Sequence, residues 1–330
     1  MTSPQSPEDD PADDHGPSEY LAYRGKHFTV PALTAEGFTV EPRADAPAPV
    51  LAPSPILDAL NQPFDVKNFL TARRPLHVAQ LDAAERTAFS RRGMPRTLDM
   101  PIKFPGSAFR VPAAFEQLRP VLQRVADFER AVNPGCYDEY YCYLTVDQGT
   151  VRRGVLQREA PCHVDGFQGA RWRPKLRGNH TYVISDAIPT AYYQQPFDLL
   201  QLDEAKHNFF WEMNRQVALT SSAHVWRPEP YELDLMDCYT VHRGDVASED
   251  TFRTWVRMSF EVRIFDRLGN AKNPLFRYHW PMVPRDIEGL GLVAWDETSD
   301  PSLRVFPWQK PDGTPHDDPR ARTQPNLRPR

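Results

Sequence analysis

The chain has 330 residues, 40% of them hydrophobic and 25% charged, the composition of a globular protein long enough to bury a sizeable core. A formal charge of −5 removes the electrostatic case for a nucleic-acid or membrane-surface protein, and no apolar run is long enough to span a bilayer. Proline, at 34 residues against 16 glycines, argues against a helical bundle and for irregular, β-rich structure.

Residues 1–17 hold five carboxylates and four prolines with almost nothing apolar, so they read as a disordered acidic tail. They carry neither a basic nor an apolar leader, which makes the cytoplasm the expected location. From 18 to about 62 short apolar clusters alternate with proline, predicting an arm laid over a core. Residues 82–91 and 203–217 show weaker helical patterns, the second with Asp203 as its N-cap. Phe115, Leu118, Val121, Leu122, Val125, Phe128 and Val132 recur at spacings of three and four, one apolar stripe on a helix that Pro120 would kink.

Strand signals begin after Pro134 and Gly135. YDEYYCYLTV, HTYVISDA, SSAHVW, DCYTVH and RTWVRMSFEVRIF are aromatic or β-branched and separated by turn-forming residues. Helices followed by a run of strands imply an α+β domain whose strands form a sandwich or barrel. Residues 309–330 contain Leu327 as their one sizeable aliphatic and read as a second disordered tail. Between the tails, 18–308 is expected to be a single domain, helical and irregular to about 135, strand-rich over about 136–268, with a C-terminal extension to 308. Cys136, Cys142, Cys162 and Cys238 have no CxxC spacing and read as reduced, mostly buried thiols.

Chemistry concentrates in the strand-rich part. His163 and Asp165, in PCHVDGFQG, are two apart, so on an extended segment both leave one face and can reach one ion. His242 closes a later strand. Two imidazoles and a carboxylate leave three coordination positions open, a geometry suited to non-haem Fe(II). The HxD spacing alone is weak, since His316 and Asp318 also match it inside the C-terminal tail, and two hydrogen-bonded histidines with a turn aspartate are the bland alternative. Context strengthens it. In RTWVRMSFEVRIF, residues Arg253, Trp255, Arg257, Ser259 and Glu261 share a face, and a partly buried guanidinium beside a serine calls for an anionic partner such as a bidentate carboxylate.

HVD at 163–165, His242 and RMS at 257–259 resemble the HxD…H…RxS signature of Fe(II)- and 2-oxoglutarate-dependent dioxygenases, over about residues 138–268. The resemblance implies a double-stranded β-helix, a cupin-like jelly-roll flanked by N-terminal helices, with Fe(II), 2-oxoglutarate and O2 as its requirements. His163, Asp165 and His242 would ligate iron. Arg257 would grip the distal carboxylate of 2-oxoglutarate, with Ser259 assisting, although some branches place that arginine where Arg253 stands; Arg253 otherwise serves an anionic group of the substrate. Asp165 favours oxygenation over halogenation, for which relatives carry a small residue there. Phe167 and Gln168 would line the substrate pocket. Tyr182, Tyr192, Tyr193 and Gln194 lie where a hydroxyl or amide often approaches the co-substrate, Tyr182 being assigned to 2-oxoglutarate and Tyr193 to the substrate, and Gln157 is a weaker candidate. The basic run Arg171, Arg173, Lys175 and Arg177 reads as a lid or as a solvated loop.

The expected function is hydroxylation or desaturation of an unactivated C–H site in a small amino-acid-derived or cyclic-dipeptide-like metabolite, within natural-product biosynthesis. The alternatives are a nucleobase-repair oxygenase and a metal-binding jelly-roll or cupin without oxidative chemistry. A small-molecule substrate, no nucleic acid, no membrane, and a monomer or homodimer complete the expectation.

Overall fold

The computed structural model of the chain describes residues 18–23, 26–156, 162–165, 177–202, 209–265 and 269–280. Strands β1 (Ser18–Tyr23) and β2 (Lys26–Pro31) form an antiparallel hairpin, and β3 (Gly37–Val40) pairs with β6 (Phe109–Pro112). The largest sheet has six antiparallel strands in the order β4 (Leu76–Gln80), β11 (Glu232–Asp237), β8 (His180–Ser185), β13 (Thr251–Glu261), β7 (Tyr141–Val151) and β5 (Thr97–Lys103). A second sheet orders β10 (Val225–Trp226), β9 (Thr190–Tyr193) and β12 (His242–Gly244). The described helices are α1 (Pro55–Ala59), α2 (Ala83–Phe89), α3 (Arg119–Val132), α4 (Pro134–Glu139) and α5 (Phe209–Ala218). Among the described residues no helix is long and apolar enough to cross a membrane.

Strand alternation divides the six-stranded sheet into two faces. Val256, Met258 and Phe260 of β13 join Leu144, Val146, Tyr182, Ile184, Leu233 and Leu235 in one buried cluster with Val121, Leu122 and Val125 of α3. The other face carries Arg253, Trp255, Arg257 and Ser259. It is therefore the polar face that confronts the functional side chains.

Local chemistry accounts for where several elements begin. Asp82 accepts from the backbone of Ala84 and Glu85 while Glu85 returns a bond to the Asp82 amide, a capping box that starts α2. Pro120 lies in the first turn of α3, so it starts this helix instead of kinking it; Ala113–Leu118 precede it as a 3-10 turn. Pro134 plays the same part for α4, which turns the first residues of the expected strand YDEYYCYLTV into helix. DCYTVH is likewise not one strand. Asp237 ends β11, its Oδ1 accepting from the Tyr239 amide at 3.1 Å and the Thr240 hydroxyl at 2.8 Å, and the resulting turn delivers His242 to β12. In SSAHVW, Ser221 caps a 3-10 turn over Ser222–His224, leaving Val225 and Trp226 as β10. The stretch 203–208, both tails and 281–308 lie outside the described residues.

Candidate metal centre

His163 and His242 are held together by backbone. The His163 amide donates to the His242 carbonyl at 3.0 Å and the reverse bond is 2.9 Å, which sets the two imidazole centroids 4.6 Å apart. Asp165 sits two residues beyond His163, and its Oδ1 lies 4.0 Å from His242 Nε2. Ligand atoms of His163, Asp165 and His242 all lie within 4.8 Å of one another. Side-chain ligands bind first-row metals at about 2.0–2.2 Å, so two donors on one ion are separated by up to ~4.4 Å. Small side-chain adjustments would bring the three onto a common ion.

The surroundings orient these groups. His242 Nδ1 donates to the Thr240 carbonyl at 2.9 Å; a carbonyl can only accept, so the neutral ring presents its lone pair at Nε2, on the Asp165 side. The turn bearing Thr240 is fixed by Asp237, which pairs through Oδ2 with buried Arg73 Nη1 at 2.5 Å. On the other ligand segment, Asn214 of α5 clamps Cys162 twice, accepting from its amide at 3.0 Å and donating to its carbonyl at 3.2 Å. Phe210 of α5 stands edge-on to the His163 ring at 6.0 Å. Cys162 is itself buried, and burial raises its thiol, in keeping with a structural role.

Two arginines share the face of β13. Arg257 Nη1 lies 3.2 Å from both oxygens of Asp165, and its Nη2 donates to Asp99 Oδ1 at 2.7 Å. Burial alone would lower the Arg257 pKa, but the Asp165 and Asp99 carboxylates outweigh it and raise it. Asp99 adopts φ 45° where the β5–β7 register breaks between Thr97 and Met100; its Oδ1 also accepts from Thr145. This left-handed residue is costly for a non-glycine, and the conformation turns its carboxylate toward Arg257. Two carboxylates against one guanidinium leave a net negative charge beside two imidazoles, which suits a divalent cation.

Arg253 differs. Its Nε donates to the Ala187 carbonyl at 2.9 Å, and burial pulls its pKa down to about 10, with Asp147, Asp186 and Tyr192 opposing only in part. Tyr192 of β9 faces the same space, with its ring 5.9 Å from that of His242. Val183, Tyr192 and Met236 form a buried apolar cluster completed by Trp226 and Trp255.

Several expected contributors take other positions. Tyr182 falls on the opposite face of β8, where its register partner is Met258, and its hydroxyl donates to Glu129 Oε2 of α3 at 2.6 Å, in the core cluster that packs against α3. Tyr193 is displaced for the same reason of alternation and packs with Cys162, Phe197 and Leu199, so Tyr192 is the β9 tyrosine nearest the histidines. Ser259 is on the Arg257 face and accepts from the Thr181 hydroxyl at 3.3 Å. Arg177 pairs with Glu139 at 2.6 Å. Phe167, Gln168, Gln157, Arg171, Arg173 and Lys175 lie outside the described residues. Trp255 falls on the strand face expected for it, whereas nothing in the sequence singles out Asp99, Thr145 and Trp226; strand register is what assembles them, and no local motif marks it.

No family model matches the chain, and no curated protein matches it. Among solved structures the chain is similar to a non-heme monooxygenase, ThoJ, in a nickel complex, at 10% identity and TM-score 0.28, covering 46% of this chain and 54% of that one. It thus spans about half the length of ThoJ. It is also similar to EvdO2 from Micromonospora carbonacea var. aurantiaca complexed with 2-oxoglutarate, at 15% identity and TM-score 0.32 over 56% of this chain and 93% of that one, and to EctD from S. alaskensis with bound Fe, at 16% identity and TM-score 0.34 over 69% and 84%.

Proposed function

We propose that the chain is a non-haem Fe(II)- and 2-oxoglutarate-dependent oxygenase, its two sheets forming a jelly-roll, that oxidises a C–H site of a small molecule. The observation that carries this reading is the convergence of the His163, Asp165 and His242 ligand atoms within 4.8 Å of one another, on the sequence pattern that resembles that family. These three residues would hold the iron. When bound, iron and 2-oxoglutarate supply with O2 an oxidant able to remove hydrogen from an unactivated C–H bond, releasing succinate and CO2.

The work of the protein's own residues follows from their contacts. Thr240 and Asp237 keep His242 in one tautomer and orientation, and Asn214 fixes the backbone that precedes His163. Trp226, Trp255, Tyr192, Val183 and Met236 would exclude water from the reacting centre. For the co-substrate carboxylate, Arg257 with Ser259 is the reading from sequence, and its ion pairs with Asp99 and Asp165 favour a second one: Arg257 steadies the ligand carboxylate Asp165, and Arg253 grips 2-oxoglutarate. The Asp165 and Asp99 carboxylates already engage Arg257, and Arg253 shares its strand face. Phe167 and Gln168 would border the substrate, which we take to be an amino-acid-derived metabolite that is hydroxylated or desaturated, and Tyr192 stands where Tyr193 was expected.

Anaerobic addition of Fe(II) and 2-oxoglutarate to the metal-free protein should produce the weak visible charge-transfer band of such a chelate, and His163→Ala should abolish it. A wild-type protein that binds iron but gives no band with 2-oxoglutarate would instead support a metal-binding jelly-roll without oxidative chemistry. Screening candidate substrates for stimulated succinate release would then identify the reaction.

A further inference from the structure

Asp234 is an anomalous buried group. It is 1% exposed, yet neither carboxylate oxygen accepts a hydrogen bond. Leaving a buried carboxylate so poorly compensated is costly, and proteins resolve such a group by protonation, pairing or metal coordination. Its neighbours supply the third route. His77 of the edge strand β4 is the register partner of Asp234, and Glu232 lies two residues earlier on the same face of β11. Ligand atoms of His77, Glu232 and Asp234 lie within 4.8 Å of one another. His77 Nδ1 already sits 2.7 Å from Glu232 Oε1, while Asp234 faces this pair with both oxygens unbonded.

We propose that His77, Glu232 and Asp234 form a second divalent-cation site, separate from the His163, Asp165 and His242 centre, that ties β4 to β11. One imidazole and two carboxylates make a donor set for a first-row ion such as Mn(II), Fe(II), Co(II) or Zn(II), with water completing the coordination. The location gives the ion a structural task. The β4–β11 register breaks between Leu233 and Asp234, so the outermost strand of the six-stranded sheet loses ladder regularity at the residue that would be clamped. Because His77 is about half exposed (53%), an ion can reach the site in the folded protein.

The test uses Zn(II) alone, with bound metal counted after equilibration of the full chain and removal of free ion. His77→Ala and Asp234→Asn should each lose one equivalent relative to wild type, and that equivalent should persist in His163→Ala. Hydrogen exchange of residues 76–80 should slow on adding Zn(II) to His163→Ala and stay unchanged in the His77→Ala/His163→Ala double variant. Retention of the wild-type stoichiometry by His77→Ala overturns the proposal, as does Zn(II)-independent exchange of 76–80 in His163→Ala. His77 is exposed enough that its replacement leaves the core intact, so the result does not hinge on whether Asp234→Asn folds. The ligand sets do not overlap, so failure here leaves the oxygenase reading untouched, and loss of the band in that reading leaves this one standing.

Discussion

At the scale of single residues, the two arginines of β13 make the sharpest contrast, because they share a strand face and differ in what their guanidinium groups already touch. Arg257 bonds Asp165 and Asp99, so Arg257→Ala should act through Asp165: metal affinity should fall by about 10–100-fold, the usual cost of removing a group that supports a metal ligand. Arg253→Ala should leave metal affinity within a few-fold and raise the 2-oxoglutarate concentration needed for half-maximal turnover. Metal titration beside a 2-oxoglutarate saturation series separates the two, and the reverse pattern returns the carboxylate grip to Arg257. The convergence of His163, Asp165 and His242 was legible in the sequence in part, because the two-residue spacing of His163 and Asp165 survives on any extended segment. Asp99 was not, since its φ of 45° arises at a register break between β5 and β7 that LDMP does not announce. β9 is four residues long, too short for alternation to declare whether Tyr192 or Tyr193 turns toward the histidines.

At the scale of elements, the long periodic segments were readable and the short ones depended on turn chemistry. Five of the seven apolar residues that repeat at helical spacing from Phe115 to Val132 fall in α3 and the first two in the 3-10 turn before it, and β13 follows from a thirteen-residue segment of which seven are aromatic or β-branched. DCYTVH reads as one strand although it spans the turn from β11 to β12, since the break rests on Asp237 bonding forward to Thr240 and sideways to Arg73, the latter 164 residues away. Capping was more local. Asp82→Ala removes both backbone bonds that start α2 and should cost about 1 kcal/mol, read as a lowered urea midpoint with unchanged slope. Gly37 is a stricter case: a Cβ there would stand 2.3 Å from the Val111 carbonyl oxygen and 2.5 Å from Leu275 Cδ1. Gly37→Ala should therefore force β3 from β6 and destabilise the chain by about 1–3 kcal/mol; thermal unfolding indistinguishable from wild type would mean that the pair separates without cost.

At the scale of the whole molecule, the mixed helix and antiparallel-sheet class followed from the order of patterns along the chain, but the strand order did not, because β4 meets β11 and β5 meets β7 across long sequence separations that no local signal encodes. One consequence of that assembly is a lysine in the interior. Lys103, at the end of β5, is fully buried; its Nζ donates to the carbonyls of Phe104 and Tyr140 and lies 4.9 Å from the Tyr137 ring. Burial lowers its pKa from 10.5 to about 8, with the neighbouring Cys142 and Asp138 opposing. Below pH 8 both the folded and unfolded chains carry this proton, and the folded state bears the full penalty of the buried charge. Between about pH 8 and 10.5 the unfolded chain binds the proton and the folded chain does not, so this group makes stability rise with pH. The shift bounds the gain at about 3 kcal/mol. Buried Cys142 and Tyr143, whose pKa values burial raises, act in the opposite sense at higher pH, so the lysine's share has to be isolated by difference. Lys103→Met keeps the volume and removes the charge: its stability relative to wild type should be greatest near pH 7 and should shrink as pH is raised through 8 to 9.5. Denaturant unfolding of both proteins across that range measures the difference, and a gap that stays constant with pH would show that Lys103 titrates as an ordinary lysine despite its burial.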